Sequence, residues 1–113
     1  MKLVEYVRED GSNPFKAWFD ALDSQAAAKV AVAALRLESG NTSNVKGIGK
    51  IAECRIDWGR GYRIYLGRDG AELILLLGGG TKRHQDRDIE RAGILFAEYK
   101  ARKAEAGKGK SKR

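Results

Sequence analysis

The chain has 113 residues, which is enough for one domain with a modest core and too few for two ordinary domains. A single cysteine, Cys54, excludes an internal disulfide and a zinc site built from several cysteines. No run of about 18 consecutive apolar residues is present, so a membrane span is not expected.

The net charge of +7 is unevenly distributed along the chain. Residues 100–113 hold seven basic side chains and one acidic one, whereas the first 99 residues hold 15 basic and 14 acidic side chains. A positive surface on the folded body must therefore come from local clustering. The glycines and lysines near the C-terminus predict one domain over residues 1–103 and a disordered basic tail over residues 104–113. The first residues lack the apolar block of a secretory signal, so we expect a cytoplasmic protein.

The N-terminal part of the chain predicts a strand followed by two helices. After a short strand over residues 2–7, Asn13 and the proline behind it favour a helix start, and the apolar spacing continues the helix to about Leu22. Asp23 caps a second, alanine-rich helix that ends near Ser39. The apolar faces of both helices are typical of core packing, so we expect a helical hairpin.

The middle of the chain predicts a sheet. Apolar and charged residues alternate between residues 45 and 57, as in a half-buried strand, and a second strand over residues 62–67 follows a glycine-rich turn. Residues 72–77 are almost wholly apolar, which is typical of a central strand covered on both faces. We expect an antiparallel meander, and after residues 78–80 the helical period returns until about Lys103. The fold class is therefore α+β.

Arg55, Arg63 and Tyr65 form the strongest candidate site, because alternation places their side chains on one sheet face. A guanidinium offers a planar fork of donors to a phosphate, and a tyrosine can stack on a base or share a proton. The alternative is that Arg55 pairs with Glu53 or Asp57 and only solvates this face.

A second group of candidates follows the three glycines, where a helix begins. Lys82 and Arg83 would favour an anion there, and His84, the single histidine, suits acid-base catalysis or a simple capping role. The glycine spacing differs from that of a phosphate-binding GxxxxGK[ST] loop, so nucleotide hydrolysis is not indicated.

The remaining residues offer neither a paired nucleophile nor a carboxylate pair for a metal or a glycoside. Ribonuclease chemistry fits this restriction, because RNA supplies its own nucleophile, the 2′-hydroxyl. The protein then needs only to orient the RNA, move protons and stabilise the crowded phosphate. We expect no metal and no cofactor.

Several motifs resemble those of addiction-module killer proteins in the RelE/ParE toxin superfamily, above all its HigB-like branch. The resemblance extends from the N-terminal helix to about Tyr99. Its motifs are Asn13-Pro14-Phe15 with Trp18, Leu37-Glu38-Ser39-Gly40-Asn41, Val45-Lys46, Glu53-Cys54-Arg55-Ile56-Asp57, Gly61-Tyr62-Arg63-Ile64-Tyr65, Leu76-Leu77-Gly78-Gly79-Gly80-Thr81-Lys82 and Gln85-Asp86-Arg87-Asp88-Ile89.

The resemblance implies an N-terminal strand and helical hairpin packed on a small twisted antiparallel sheet, with a C-terminal helix. It implies a type II toxin that inhibits translation by cutting mRNA on the ribosome, without a metal. Its partners would be the ribosome, mRNA and a cognate antitoxin. In this branch the antitoxin is commonly a helix-turn-helix DNA-binding protein, through which alone the pair would contact operator DNA.

The resemblance also implies roles for individual residues. Arg63 and Lys82 match basic residues that act on the phosphate, while Tyr65, His84 and Asp88 compete for proton transfer. Residues assigned to RNA binding are Lys46, Arg55, Arg83 and Arg87.

The sequence is also compatible with two other functions. A ParE-like protein would inhibit DNA gyrase without cutting RNA, and an inactive homologue would keep only antitoxin binding. The nearly neutral body favours the gyrase inhibitor somewhat, whereas the Arg63, Tyr65 and Lys82 set favours the nuclease.

Overall fold

The computed structural model describes residues 1–111, and the side chains of residues 1–107. These residues form a single five-stranded sheet with helices on both faces. In chain order the elements are β1 (Lys2–Glu5), α1 (Pro14–Asp20), α2 (Ser24–Glu38), β2 (Val45–Ile48), β3 (Ile51–Ile56), β4 (Tyr62–Asp69), β5 (Leu73–Gly80), a 3-10 turn (Lys82–His84) and α3 (Gln85–Ser111).

The strand order is β1-β5-β4-β3-β2, and the predicted α+β fold is confirmed. Strands β2 to β5 form the expected antiparallel meander, but β1 pairs with β5 in parallel, so the sheet is mixed rather than antiparallel. The difference arises because α1 and α2 carry the chain across one face, from β1 at one edge to β2 at the other. Alternation of apolar residues reports the faces of a strand and not its direction.

Both N-terminal helices begin at the predicted caps. The backbone N–H of Lys16 donates to the Asn13 side chain at 3.0 Å, and the N–H of Ala26 donates to the Asp23 carboxylate at 2.8 Å. Each bond satisfies one of the free N–H groups at a helix start. The caps therefore fix where the hairpin begins and how it enters the core.

The sheet separates two apolar clusters. Helices α1 and α2 cover one face, and α3 covers part of the other. Strand β5 contributes to both, which confirms its prediction as a central strand covered on both sides. The α3 side contains Tyr6, Ile51, Tyr65, Leu75, Leu77, Ala92, Leu95 and Phe96.

Several element boundaries differ from the sequence prediction. Strand β1 ends at Glu5 rather than at residue 7, and β4 continues to Asp69 rather than ending at residue 67. A turn at Gly49 and Lys50 divides the expected first strand into β2 and β3, and the three glycines at residues 78–80 belong to β5 rather than to a loop. Helix α3 continues past Lys103 to Ser111, so the segment predicted as a disordered tail is helical as far as Ser111, and residues 112 and 113 lie outside the described part. Lysine, arginine, alanine and glutamate are good helix formers, which offsets the cost of the two glycines.

None of the helices within residues 1–111 combines the length and the apolar character that crossing a membrane requires.

The glycines at the end of β5 allow side chains to pack directly on the backbone. A methyl group built on Gly79 would overlap the ring of Trp18 from α1, and one built on Gly80 would overlap the carboxylate of Asp88 from α3. The sequence suggested that these glycines admit a ligand to the backbone. In the fold, two side chains of the protein itself occupy that space on opposite faces.

The substitution Gly79→Ala tests this packing. We expect it to reduce the free energy of unfolding by about 1–3 kcal/mol, because the added methyl forces the indole ring to move. Urea unfolding followed by far-ultraviolet circular dichroism measures the change. Gly47→Ala is the matched control, since a methyl there has nothing within 4 Å. Equal stability of the two variants would contradict the packing described.

Candidate functional site

The strand register brings the predicted polar residues onto one face of the sheet. Arg55 lies opposite Arg63, and Glu53 lies opposite Tyr65, with Lys46 on its other side. Arg55, Arg63 and Tyr65 therefore share a face, as expected. This is the face that α3 covers in part.

A buried carboxylate organises the two arginines. Glu53 is fully buried, and its Oε1 accepts a hydrogen bond from Arg55 Nε at 3.2 Å. Arg63 Nε lies 3.3 Å from Glu53 Oε2, an ion pair whose angle is outside the range of a hydrogen bond. The side-chain amide of Gln85, at the start of α3, donates to Oε2 at 3.1 Å. We call Glu53, Arg55, Arg63 and Gln85 the Glu53 cluster.

The cluster explains how two like charges can face each other across β3 and β4. Opposite positions of an antiparallel pair are close enough that two guanidiniums would repel, and the single buried carboxylate between them offsets this repulsion. The alternative considered from the sequence, that Arg55 pairs with Glu53, therefore describes a real contact. The expectation of a half-buried strand with its charged residues exposed was wrong for Glu53, which Gln85 at the start of α3 contacts, and Arg63 is buried beside it.

The guanidinium groups of Arg55 and Arg63 differ in which of their nitrogens remain available to a ligand. The Arg55 side chain is 51% exposed, so its terminal nitrogens face solvent. The Arg63 side chain is only 9% exposed, and its Nη1 donates to the carbonyl of Gly61 at 2.7 Å. Arg63 Nη2 makes no hydrogen bond within the described residues and retains access to solvent. One terminal nitrogen of Arg63 is thus available to a ligand.

Lys82 lies beside this cluster. A methyl group on Gly61 would stand 3.3 Å from Arg63 Nη1 and 3.5 Å from Lys82 Cβ, so both residues flank the same glycine. Gly61 has a φ of +73°, a conformation that other residues rarely adopt. Lys82, Arg83 and Lys46 are exposed, and Lys46 lies on β2 opposite Glu53.

Tyr65 occupies a different environment from the arginines. Its side chain is almost fully buried, and within the described residues its hydroxyl has no hydrogen-bond partner. Burial raises the pKa of Tyr65 to about 12, and the negative charges of Glu53 and Asp88 add to the effect. The hydroxyl is therefore protonated at neutral pH and can act as a donor.

A groove of about 510 Å³ runs along the end of β5 between α1 and α3. Its floor is residues 77–80, and we call it the edge groove. Trp18 lines it from α1, Tyr65 lines it from the sheet, and His84, Arg87, Asp88 and Arg91 line it from the start of α3.

The eight residues predicted as a site are therefore not one constellation. Arg63 and Lys82 flank Gly61, Arg55 lies opposite Arg63, and Lys46 lies opposite Glu53. Arg83 is exposed in the 3-10 turn, whereas Tyr65, His84 and Arg87 line the edge groove. Tyr99, where the resemblance to the toxin superfamily ends, donates a hydrogen bond to Asp69 at the far end of β4.

Sequence reasoning missed the roles of Glu53, Gln85 and Arg91. In the alternation of apolar and charged residues, Glu53 is indistinguishable from the other charged residues of a half-exposed strand. Its spacing of two from Arg55 signalled a pair on one face but not the burial of that pair. Within residues 1–111, no group of three histidine, cysteine or acidic side chains is placed to hold a metal ion.

Comparison with known proteins gives one informative match. No family model matches the chain. The chain is 41% identical over 86 residues to an uncharacterized protein of Haemophilus influenzae (strain ATCC 51907 / DSM 11121 / KW20 / Rd), and the match covers 74% of this chain and 87% of that protein. The chain belongs to the same family as that protein.

The variant Glu53→Gln tests the cluster. We expect the free energy of unfolding to fall by about 3–5 kcal/mol, because the exchange leaves the mostly buried Arg63 charge without a counter-ion. Chemical denaturation at neutral pH measures the loss. Glu90→Gln, at an exposed position of α3, should change stability by no more than about 0.5 kcal/mol. A cost for Glu53→Gln as small as that of the control would contradict the cluster.

Alkaline titration tests the environment of Tyr65. The pKa of this phenol lies near 12 in the folded chain and near 10 when unfolded, so the folded state holds the proton more tightly. Its contribution to stability is complete below about pH 10 and is lost as the pH rises towards 12. In Tyr65→Phe, part of the tyrosinate absorbance that appears near pH 12 should be missing, and stability should fall less steeply over this range. Unchanged titration at high pH would contradict the buried phenol.

Proposed function

We propose that this member of the family is the toxin of a type II toxin-antitoxin system, and that it cuts mRNA on the ribosome. The observation that carries the proposal is the Glu53 cluster, in which one buried carboxylate holds the Nε atoms of two arginines beside Lys82. Fixed cations of this kind stabilise a phosphate as its charge increases in a transition state. The motifs of the chain are also similar to those of HigB-like toxins.

In the proposed reaction the protein acts mainly through position and charge. The 2′-hydroxyl oxygen of the RNA attacks the neighbouring phosphorus, and the bond from phosphorus to the 5′ oxygen breaks. The free nitrogens of Arg55 and Arg63 donate to the phosphate oxygens, and the Lys82 ammonium adds a third positive charge. The products are a 2′,3′-cyclic phosphate and a 5′-hydroxyl end.

Two protons must move in this reaction, one from the 2′-hydroxyl and one to the departing 5′ oxygen. Tyr65 keeps its proton at neutral pH, which suits a donor and not a base. His84 is exposed, lines the edge groove and follows Lys82 by two residues in the same 3-10 turn, and histidine is the side chain that most often serves in general acid-base catalysis. We therefore favour His84 as the base, with Asp88 as the alternative and Tyr65 as a hydrogen-bond donor.

Exposed cations beyond the cluster would hold the RNA strand. Lys46 on the edge strand and Arg83 and Arg87 at the start of α3 are all exposed and can reach phosphates. In this proposal the protein acts in the cytoplasm. Its partners are mRNA, the ribosome and a helix-turn-helix antitoxin that alone contacts operator DNA.

Mapping of new mRNA 5′ ends in a translating extract tests the proposal. Wild-type protein should create ends at ribosome-occupied codons, and Lys82→Ala and Arg63→Lys should reduce their formation by about 10²–10³-fold, because each removes a fixed donor from the phosphate. Lys82 is exposed, so its variant should fold normally, and Arg63→Lys retains the charge in the cluster.

Arg68→Ala is the matched control, because Arg68 is exposed towards the opposite end of β4. It should cut like the wild-type chain. Absence of new ends with folded wild-type protein would reject the nuclease. Inhibition of DNA gyrase by that same protein would then favour a ParE-like inhibitor.

A further inference from the structure

The floor of the edge groove is an open strand edge. Strand β1 pairs with β5 only from Leu73 to Leu76, and the last backbone bond between them runs from Tyr6 N–H to the carbonyl of Leu76 at 3.0 Å. Beyond this point β1 has ended, and in the described part of the chain no strand lies along the outer edge of residues 77–80. Such an edge presents backbone donors and acceptors to an incoming chain.

The two walls of the groove differ in chemistry. On the α1 side, Pro14, Ala17 and Trp18 form an apolar wall. On the α3 side, His84, Arg87 and Arg91 recur at the spacing of one helical face. The acidic residue of this wall, Asp88, is turned over Gly80 and lies 3.8 Å from Arg87 Nε. The groove therefore combines an apolar side with a positive side.

Tyr65, one of the residues that line the groove, carries a buried polar atom. The hydroxyl of Tyr65 is shielded from solvent and has no hydrogen-bond partner among the described residues. An unpaired buried hydroxyl is costly, and such groups are rare in folded proteins. This atom is an independent indication that a ligand group completes the groove.

We infer that the edge groove receives an extended, acidic segment of a partner protein, which adds a strand beside residues 77–80. The backbone of the segment would pair with the open edge, and alternate side chains would point to opposite walls. Acidic side chains would meet Arg87 and Arg91, and apolar ones would pack on Trp18. A strand edge matches the repeat of a peptide backbone, which favours a peptide over an RNA strand.

One consequence rests on the proposed function. If the chain is a toxin, the antitoxin would supply the segment, and the added strand would cover His84 and Tyr65. Neutralisation would then act by occupying the groove and would not require contact with the Glu53 cluster.

Selection of peptides from a random library tests the inference. Peptides of about ten residues, long enough to span the groove when extended, are displayed and selected on the purified full-length chain. We expect enriched sequences in which acidic residues alternate with β-branched or aromatic ones. Amide resonances of residues 77–80 should shift on binding, and their hydrogens should exchange more slowly.

Charge reversal provides the matched comparison. Arg91→Glu should weaken binding of the selected peptide by about tenfold or more, because it places a like charge in the positive wall. Arg68→Glu makes the same change at an exposed position outside the groove and should leave the affinity unchanged. Higher salt should weaken binding to the wild-type chain.

Three results would overturn the inference. They are failure to enrich any acidic extended sequence, binding that survives Arg91→Glu, and shifts confined to amides outside the groove. Single-stranded RNA that shifts the same amides and displaces the peptide would instead assign the groove to nucleic acid. Because the assay needs no ribosome, peptide binding without mRNA cleavage would reject the proposed function and retain the groove.

Discussion

The buried carboxylate of Glu53 is the interaction on which the rest of the site depends. Two guanidiniums lie opposite each other on β3 and β4, and each would repel the other without the charge between them. Burying a charge is expensive, so the arrangement is stable only when the carboxylate and its partners are present together. Gln85 adds the start of α3 to the same carboxylate. One side chain thus joins three elements and fixes where the free nitrogens of the arginines point.

The end of β5 forms a second structural feature, which is distinct from the Glu53 cluster. Gly79 and Gly80 let Trp18 and Asp88 approach the backbone from opposite faces, so α1 and α3 flank the part of β5 that lies beyond its pairing with β1. The resulting edge groove differs chemically from the Glu53 cluster. Its floor offers backbone groups, one of its walls is apolar, and the other is positively charged. The proposed catalytic surface and the proposed protein-binding groove therefore lie side by side on one small domain.

Much of the fold follows from the sequence, whereas the site follows only in part. The caps Asn13 and Asp23 and the apolar run of β5 act locally, and local chemistry is readable along the chain. The burial of Glu53 was not readable, because alternation identifies the face of a strand and not what covers that face. The open edge of β5 was hidden for a similar reason, since it depends on where β1 ends. Such properties arise from contacts between residues far apart in sequence.

The central claim, that Glu53 holds both guanidiniums, is tested most directly by nuclear magnetic resonance of the arginine Nε–H groups. We predict that the Nε hydrogen of Arg55, which donates to Glu53, exchanges slowly with water, and that this protection disappears when the acceptor is removed in Glu53→Ala. The Arg63 Nε resonance should shift in the same variant, because its ion pair with Glu53 is lost. Exposed Arg36 provides the fast-exchanging reference. If the Arg55 Nε hydrogen exchanges as fast as that of Arg36, or if its protection survives in Glu53→Ala while the Arg63 resonance stays unchanged, the carboxylate does not organise the site.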